Sequence, residues 1–190
     1  MIVGITGSYC SGKSSASSVF SGKGYRVIDV DRIGHKALEQ KKEEVISAFG
    51  EEVIAGGRVN REKLARIVFS DRAERKKLES IVHPLMIRMV KEICKKEDSV
   101  VINAALLIEM CLHVLCDFVI GIAVKDEIAI KRGEKRDGIG REEVLRRIHS
   151  QIPLKEKLHY VDIVIDNNGS PDELEMKVES IVSRLGAGSE

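Results

Sequence analysis

Helices on both faces of a five-stranded parallel sheet, a three-layer α/β domain, are the fold this sequence predicts. Three observations carry that reading. Short uncharged apolar runs recur along the chain, as strands buried on both faces require. Charged segments with helical spacing separate them, the alternation of a parallel sheet with its crossover helices. The first run opens directly into a glycine-bounded loop and then a helix. At 190 residues and 43% hydrophobic, the chain is long enough for one compact domain with a sizeable core.

Met1 to Thr6 reads as the first strand, Gly7 to Gly12 as a loop, and Lys13 to Gly22 as a helix. Tyr25 to Val30 is the second strand, closed by Asp29 and Asp31. From Ile33 to Glu97 the pattern is mostly helical: Glu43 to Phe49 stops at Gly50, and Ala55-Gly56-Gly57 is a turn. Asn60 caps a helix carrying Leu64, Ile67 and Val68 on its apolar face. Arg72 to Val82 is another helix, after which Pro84 either opens the next one, to about Lys96, or kinks a longer one. Ser99 to Asn103 and Phe118 to Val124 are strands, and Asp126 to Glu134 and Glu142 to Gln151 a charged helical pair. Val161 to Ile165 is the fifth strand, Asn167 to Ser170 a turn and Pro171 to Leu185 an amphipathic helix, with Gly186 to Glu190 frayed. One domain spanning 1–190 is expected, with a helical insertion at about 32–97 and a lid at about 126–151.

Net charge is +1, from 31 basic and 30 acidic residues, so no overall basic field points to nucleic acid or an anionic membrane. No apolar run approaches the ~20 residues of a membrane span, and the N-terminus lacks a signal-peptide pattern, so a cytoplasmic protein is expected. Cys10, Cys94, Cys111 and Cys116 form no Cys-x-x-Cys pair and read as reduced, mostly buried thiols. Cys10 differs only in lying within the loop after the first strand, where sensitivity to oxidation is the open question.

That loop carries the strongest signal. Gly7-Ser8-Tyr9-Cys10-Ser11-Gly12-Lys13-Ser14 matches G-x-x-x-x-G-K-[ST] in full, between an apolar strand and a helix. Glycines let consecutive N–H groups turn inward onto phosphate oxygens, and the helix end adds positive potential. Gly7, Ser8, Tyr9, Cys10, Ser11, Gly12, Lys13, Ser14 and Ser15 are therefore the candidate ATP contacts. Lys13 is expected between the β- and γ-phosphates, and Ser14 on Mg²⁺. The fold expected is that of a P-loop NTPase. Ser8 and Cys10 would both be strained if both needed φ > 0.

Asp29 and Asp31 end the second strand, at the sheet edge where ligands bind in open parallel folds, and would share a face if the strand continues. An alcohol acceptor needs a base there; alternatively one of the two caps the next helix. Between Lys131 and Arg147 stand seven basic and four acidic residues, the composition of a lid closing over a transferring phosphate. Arg132, Arg136 and Arg141 are its leading candidates, although Glu142 and Arg146 also suit a solvated helix face.

The ordered motifs resemble the dephospho-coenzyme A kinase family over nearly the whole chain. They include Ile5-Thr6-Gly7 through Ser15, Val27-Ile28-Asp29-Val30-Asp31 with His35, Phe49-Gly50, and Asn60-Arg61 with Leu64 and Val68-Phe69. His83-Pro84-Leu85, Leu106-Leu107-Ile108-Glu109, Arg136-Asp137-Gly138 with Gln151, and Asp162 through Ser170 follow. Ala105 stands where the family usually has Pro, Asn103 where many members have Asp, and Ser8 and Cys10 replace common glycines. The resemblance implies transfer of the ATP γ-phosphate to the ribose 3′-hydroxyl of dephospho-coenzyme A, with Mg²⁺. It implies Asp31 as catalytic aspartate, an acceptor site in the insertion, and Thr6 and Glu109 lining the cleft. Asp29, His35 and His83 join the acceptor side, and Arg132 and Asn168 the nucleotide side; His83 alternatively satisfies a backbone carbonyl. ATP and dephospho-coenzyme A are the partners expected, without nucleic acid or membrane; oligomeric state is not specified.

Two other readings remain open. Another P-loop kinase, of a nucleoside monophosphate or a small alcohol, shares the loop, but a monophosphate acceptor needs no base. A nucleotide-dependent switch is the other class. Yet no Asn-Lys-x-Asp motif occurs, and Ser99 to Asn103 ends in Asn rather than Asp-Glu.

Overall fold

A computed structural model describes residues 1–187, in two compact units. One comprises Met1–Asp29 and the chain from Cys94 onward; the other is Val30–Ile93.

The first unit opens with β1 (Ile2–Gly7), α1 (Lys13–Gly22) and β2 (Arg26–Asp29). The second unit then begins at once, with α2 (Val30–Gln40). The expected strand to Val30 thus stops one residue early, and Asp31 sits in the first turn of a helix. Strand alternation therefore does not set Asp29 and Asp31 on one face. An acidic residue in a helix's first turn is favoured by the positive N-terminal end, which outweighs extension of a four-residue strand.

α3 (Lys42–Phe49) ends at Gly50, as its sequence indicates. The Gly-Gly turn proves to be the tip of a hairpin, β3 (Ile54–Ala55) with β4 (Arg58–Val59). Gly56 and Gly57 take φ of 57° and 75°, the pair of positive values a two-residue hairpin turn requires. α4 (Arg61–Ser70) carries the expected cap, Asn60 Oδ1 accepting from the Lys63 N–H at 3.0 Å. α5 (Arg72–Cys94) runs unbroken through Pro84. Of the two readings of Pro84, the longer helix is the one seen: the lost N–H bond, costing about 3 kcal/mol, is outweighed by the buried face Val82, Met86 and Val90.

Back in the first unit come β5 (Val100–Asn103), β6 (Phe118–Ala123), α6 (Asp126–Asp137), α7 (Arg141–His149), α8 (Leu154–Lys157), β7 (Ile163–Asp166) and α9 (Pro171–Ala187). Gly186 and Ala187 thus extend the closing helix, and residues 188–190 of the expected frayed tail lie outside the described residues. The five long strands form one parallel sheet in the order β2-β5-β1-β6-β7. Inward residues Val3, Ile5, Val101, Ile120, Ile122 and Ile165 pack against Ala16 and Phe20 of α1 and Leu174, Val178, Ile181 and Val182 of α9. At ~1.5–3 kcal/mol for each large side chain, this layer is the main source of the unit's stability. β1 lies between β5 and β6, and the chain crosses over from β1 to the far strand β2. The crevice at the C-terminal end of β1 is therefore a topological switch point, where such sheets bind ligands. Among the described residues no helix is long and apolar enough to cross a membrane.

Candidate active site

The loop between β1 and α1 occupies that crevice. Gly12, its last residue, has φ 101°, and a Cβ there would lie 2.2 Å from Asn167 Nδ2. Only glycine fits, on both conformational and steric grounds. α1 then starts with no side-chain cap and no acidic residue in its first turn, whereas α6 and α7 each carry two. Its N-terminal donors and positive potential are left to an anion. Lys13 reaches back over the loop and donates from Nζ to the carbonyls of Gly7, at 3.1 Å, and Ser8, at 2.8 Å. Ser11 Oγ is buried without a hydrogen-bond partner among the described residues, an orphan inside the cradle. Ser14 and Ser15 stand exposed on the first turn of α1.

Of the two loop residues expected to strain, only Cys10 does. Its φ is 56°, while Ser8 is not among the positive-φ residues. Burial pushes the Cys10 thiol pKa up, against the opposing pull of Arg136 and Lys13. The thiol therefore stays protonated, which disfavours oxidation. Cys94 is raised by burial too, and Cys116 is pushed up to about 12 by burial, so these thiols are inert.

Tyr9 projects from the loop onto helices α6 and α7. Its hydroxyl donates to Asp137 and accepts from Arg147 Nη1 at 3.0 Å. The guanidinium carbons of Arg136 and Arg147 lie 5.0 and 5.3 Å from its ring centre, within cation–π range. Arg136 also pairs with Asp137, Nε to Oδ1 at 2.7 Å. Arg141 has another job: its guanidinium grips Glu127 at 2.8 and 3.1 Å, bracing α6 against α7. Hydrogen bonding to Arg141 lowers the Glu127 pKa, and the same bond raises that of Arg141. The arginine that reaches the loop from α7 is Arg147, one of the basic run but not singled out from sequence.

In the turn after β7 the two asparagines divide the work unexpectedly. Asn168 accepts from the Lys125 N–H at 2.8 Å and donates to the Asp166 carboxylate, which makes it a brace of its own turn. Asn167, buried, donates from Nδ2 to Ser11 O at 2.7 Å and so holds the phosphate loop. Arg132 donates to Asn167 O at 3.1 Å and Gly169 O at 3.3 Å, tying α6 to that turn.

Thr6, at the end of β1, donates from Oγ1 to Ala105 O at 3.3 Å. Asp29 ends β2 in register with Asn103 of β5, at the same sheet edge. Glu109 forms an ion pair with Lys157, Oε1 to Nζ at 2.9 Å, and Lys157 is 2% exposed. Nothing in the local sequence around Lys157 distinguishes it from its solvated neighbours Lys155 and Glu156. Asp31, His35 and His83 belong to the second unit. There Asp31 is exposed on α2, and His35 Nε2 meets Arg61 Nη1 at 2.7 Å. Burial, opposed by Glu79, lowers the pKa of His83 on α5 and keeps it neutral.

Backbone donors wrapped beneath arginines at a switch point form the machinery of phosphoryl transfer, and with this fold they define a P-loop kinase. Two solved structures share the architecture at close range. One from Thermus thermophilus has 35% identity and a TM-score of 0.83, with 97% of each chain covered. A dephospho-CoA kinase from Campylobacter jejuni has 27% identity and a TM-score of 0.73, covering 100% of this chain and 98% of that one. Residues 1–173 match the family model described as dephospho-CoA kinase. A dephospho-CoA kinase of Fusobacterium nucleatum is 38% identical, over 94% of this chain and 95% of its own. This chain belongs to the dephospho-CoA kinase family.

Proposed function

We propose that this protein transfers the γ-phosphate of ATP to the ribose 3′-hydroxyl of dephospho-coenzyme A, the last step of coenzyme A synthesis, in the cytoplasm. The observation that carries the proposal is the complete phosphate loop at the switch-point crevice of a chain that matches this family over residues 1–173.

The loop amides and the free end of α1 hold the ATP phosphates. Lys13 swings from the Gly7 and Ser8 carbonyls onto the β- and γ-phosphates, and Ser11 Oγ finds its missing partner there. The site's hydroxyl and phosphate oxygens fit Mg²⁺, which keeps few protein ligands in such sites. Ser14 would hold the ion, which supplies neutralisation of charge on the β- and γ-oxygens. Arg132 and Asn168 flank the adenine side. Arg136 stabilises charge developing on the transferred group, and Asp31 accepts the hydroxyl proton as the acceptor oxygen bonds phosphorus and ADP leaves. Thr6, Asp29, His35, His83 and Glu109 face the acceptor.

ADP release is to be measured with Mg·ATP and dephospho-coenzyme A, nucleoside monophosphates, shikimate or no acceptor. Stimulation by dephospho-coenzyme A alone is expected. Stimulation by another acceptor would discard the substrate, and acceptor-independent hydrolysis would discard the kinase. Asp31→Asn should lower kcat by ~10²–10⁴ with ATP binding retained. An unchanged kcat removes Asp31 from the base role.

A further inference from the structure

Lys157 is a lysine with almost no solvent contact, and nothing in the reaction described above uses it. A buried ammonium is tolerated only when paired and hydrogen-bonded. Its Nζ donates to Ala105 O at 2.8 Å and to Glu109 Oε1 at 2.9 Å. Glu109 Oε1 also accepts from the Ile152 N–H at 3.2 Å. One oxygen of this carboxylate thus takes both donors that reach it. The other, Oε2, is buried with no hydrogen-bond partner among the described residues, and so is Oε1 of Gln151, the residue before Ile152.

The asymmetry is informative. A carboxylate oxygen removed from water and left unbonded is costly, and native structures keep few such atoms without a use. Lys157 and the Ile152 amide together fix the rotation of the Glu109 carboxylate, leaving Oε2 as a preoriented acceptor. Ala105, the second partner of Lys157, also accepts from Thr6 at the end of β1. The lysine therefore ties the Glu109 segment to the strand that feeds the phosphate loop.

We infer that Lys157 is a positioning residue that acts through Glu109, holding its Oε2 toward a hydroxyl or N–H donor of the bound acceptor. The inference rests on the kinase reading of the same site.

The test compares wild type, Lys157→Met and the double variant Lys157→Met/Glu109→Leu, in steady-state kinetics with ATP and dephospho-coenzyme A. Lys157→Met should raise the acceptor KM by about tenfold or more, with the ATP KM within about twofold, a split that general destabilisation does not produce. The double variant should be no worse than Lys157→Met, because the two residues act as one unit. An acceptor KM at the wild-type value overturns the inference, and so does a multiplied loss in the double variant. Should Lys157→Met melt below the assay temperature, Lys157→Met/Glu109→Gln, which leaves no unpaired charge, takes its place. A wild-type acceptor KM there is equally fatal.

If wild type itself shows no stimulation by dephospho-coenzyme A, the kinase reading fails. Hydrogen exchange at the Ile152 amide then decides the positioning role separately. Exchange about tenfold faster in the variant, with β1 amides unchanged, supports it. Unchanged exchange at Ile152 overturns it.

Discussion

The phosphate loop and helices α6 and α7, the two parts we propose to surround phosphate with positive charge, are built in opposite ways. The loop does it with backbone: glycine at φ 101°, helix amides without a cap, a lysine folded onto its own carbonyls. The lid does it with long side chains on exposed helices, each arginine held by a carboxylate, a ring or a carbonyl. A backbone site has one working conformation and fails when a single atom is added. A side-chain site is adjustable, and tolerates the loss of a member that only braces it.

The largest effect should come from forcing a side chain into the backbone-built half. Gly12→Ala places a methyl 2.2 Å from Asn167 Nδ2 at a left-handed φ, so nucleotide binding and kcat/KM should fall ~10²-fold or more. Activity within about threefold of wild type would mean that the loop is as adjustable as the lid. Asn167→Ala removes the buried bond to Ser11 O without touching the loop itself. The loss should be ~1–3 kcal/mol in thermal or denaturant stability, with a raised ATP KM. Cys10→Gly tests the same contrast from the favourable side. Relief of a non-glycine residue at φ 56° should stabilise the protein by about 1 kcal/mol, read as a higher Tm. Smallest of all, Arg141→Ala breaks only the exposed brace to Glu127 and should leave kcat within about twofold. A larger drop would place Arg141 on the phosphates after all.

The same contrast explains what could be read from sequence. Backbone-built features need particular residues at fixed spacings, so the phosphate loop, the Asn60 cap and the Gly50 stop were all visible in the letters. Buried polar anchors need only a long or amide side chain in the right place after folding. Asn167 and Lys157 are ordinary letters beside Asn168 and Lys155, because burial is decided by elements far along the chain. Asn167 is the instructive case. Its side chain is satisfied by a residue 156 positions away, which no local pattern announces. Asp31 and Pro84 each left two readings open for a different reason. Strand and helix compete locally at both, and the winner is set by helix-end electrostatics at one and by the buried face of α5 at the other.

The Asn167–Ser11 bond also has a consequence for the order in which the protein becomes competent. The loop lies in the first tenth of the chain, and the group that closes it arrives near the end. Contacts of such sequence separation form late, since loop-closure entropy must be overcome before they contribute. A nascent chain emerging N-terminus first carries every residue of its nucleotide motif long before it carries the clasp. Until β7 docks beside β6 and brings Asn167 with it, the loop lacks the side-chain bond that clasps Ser11.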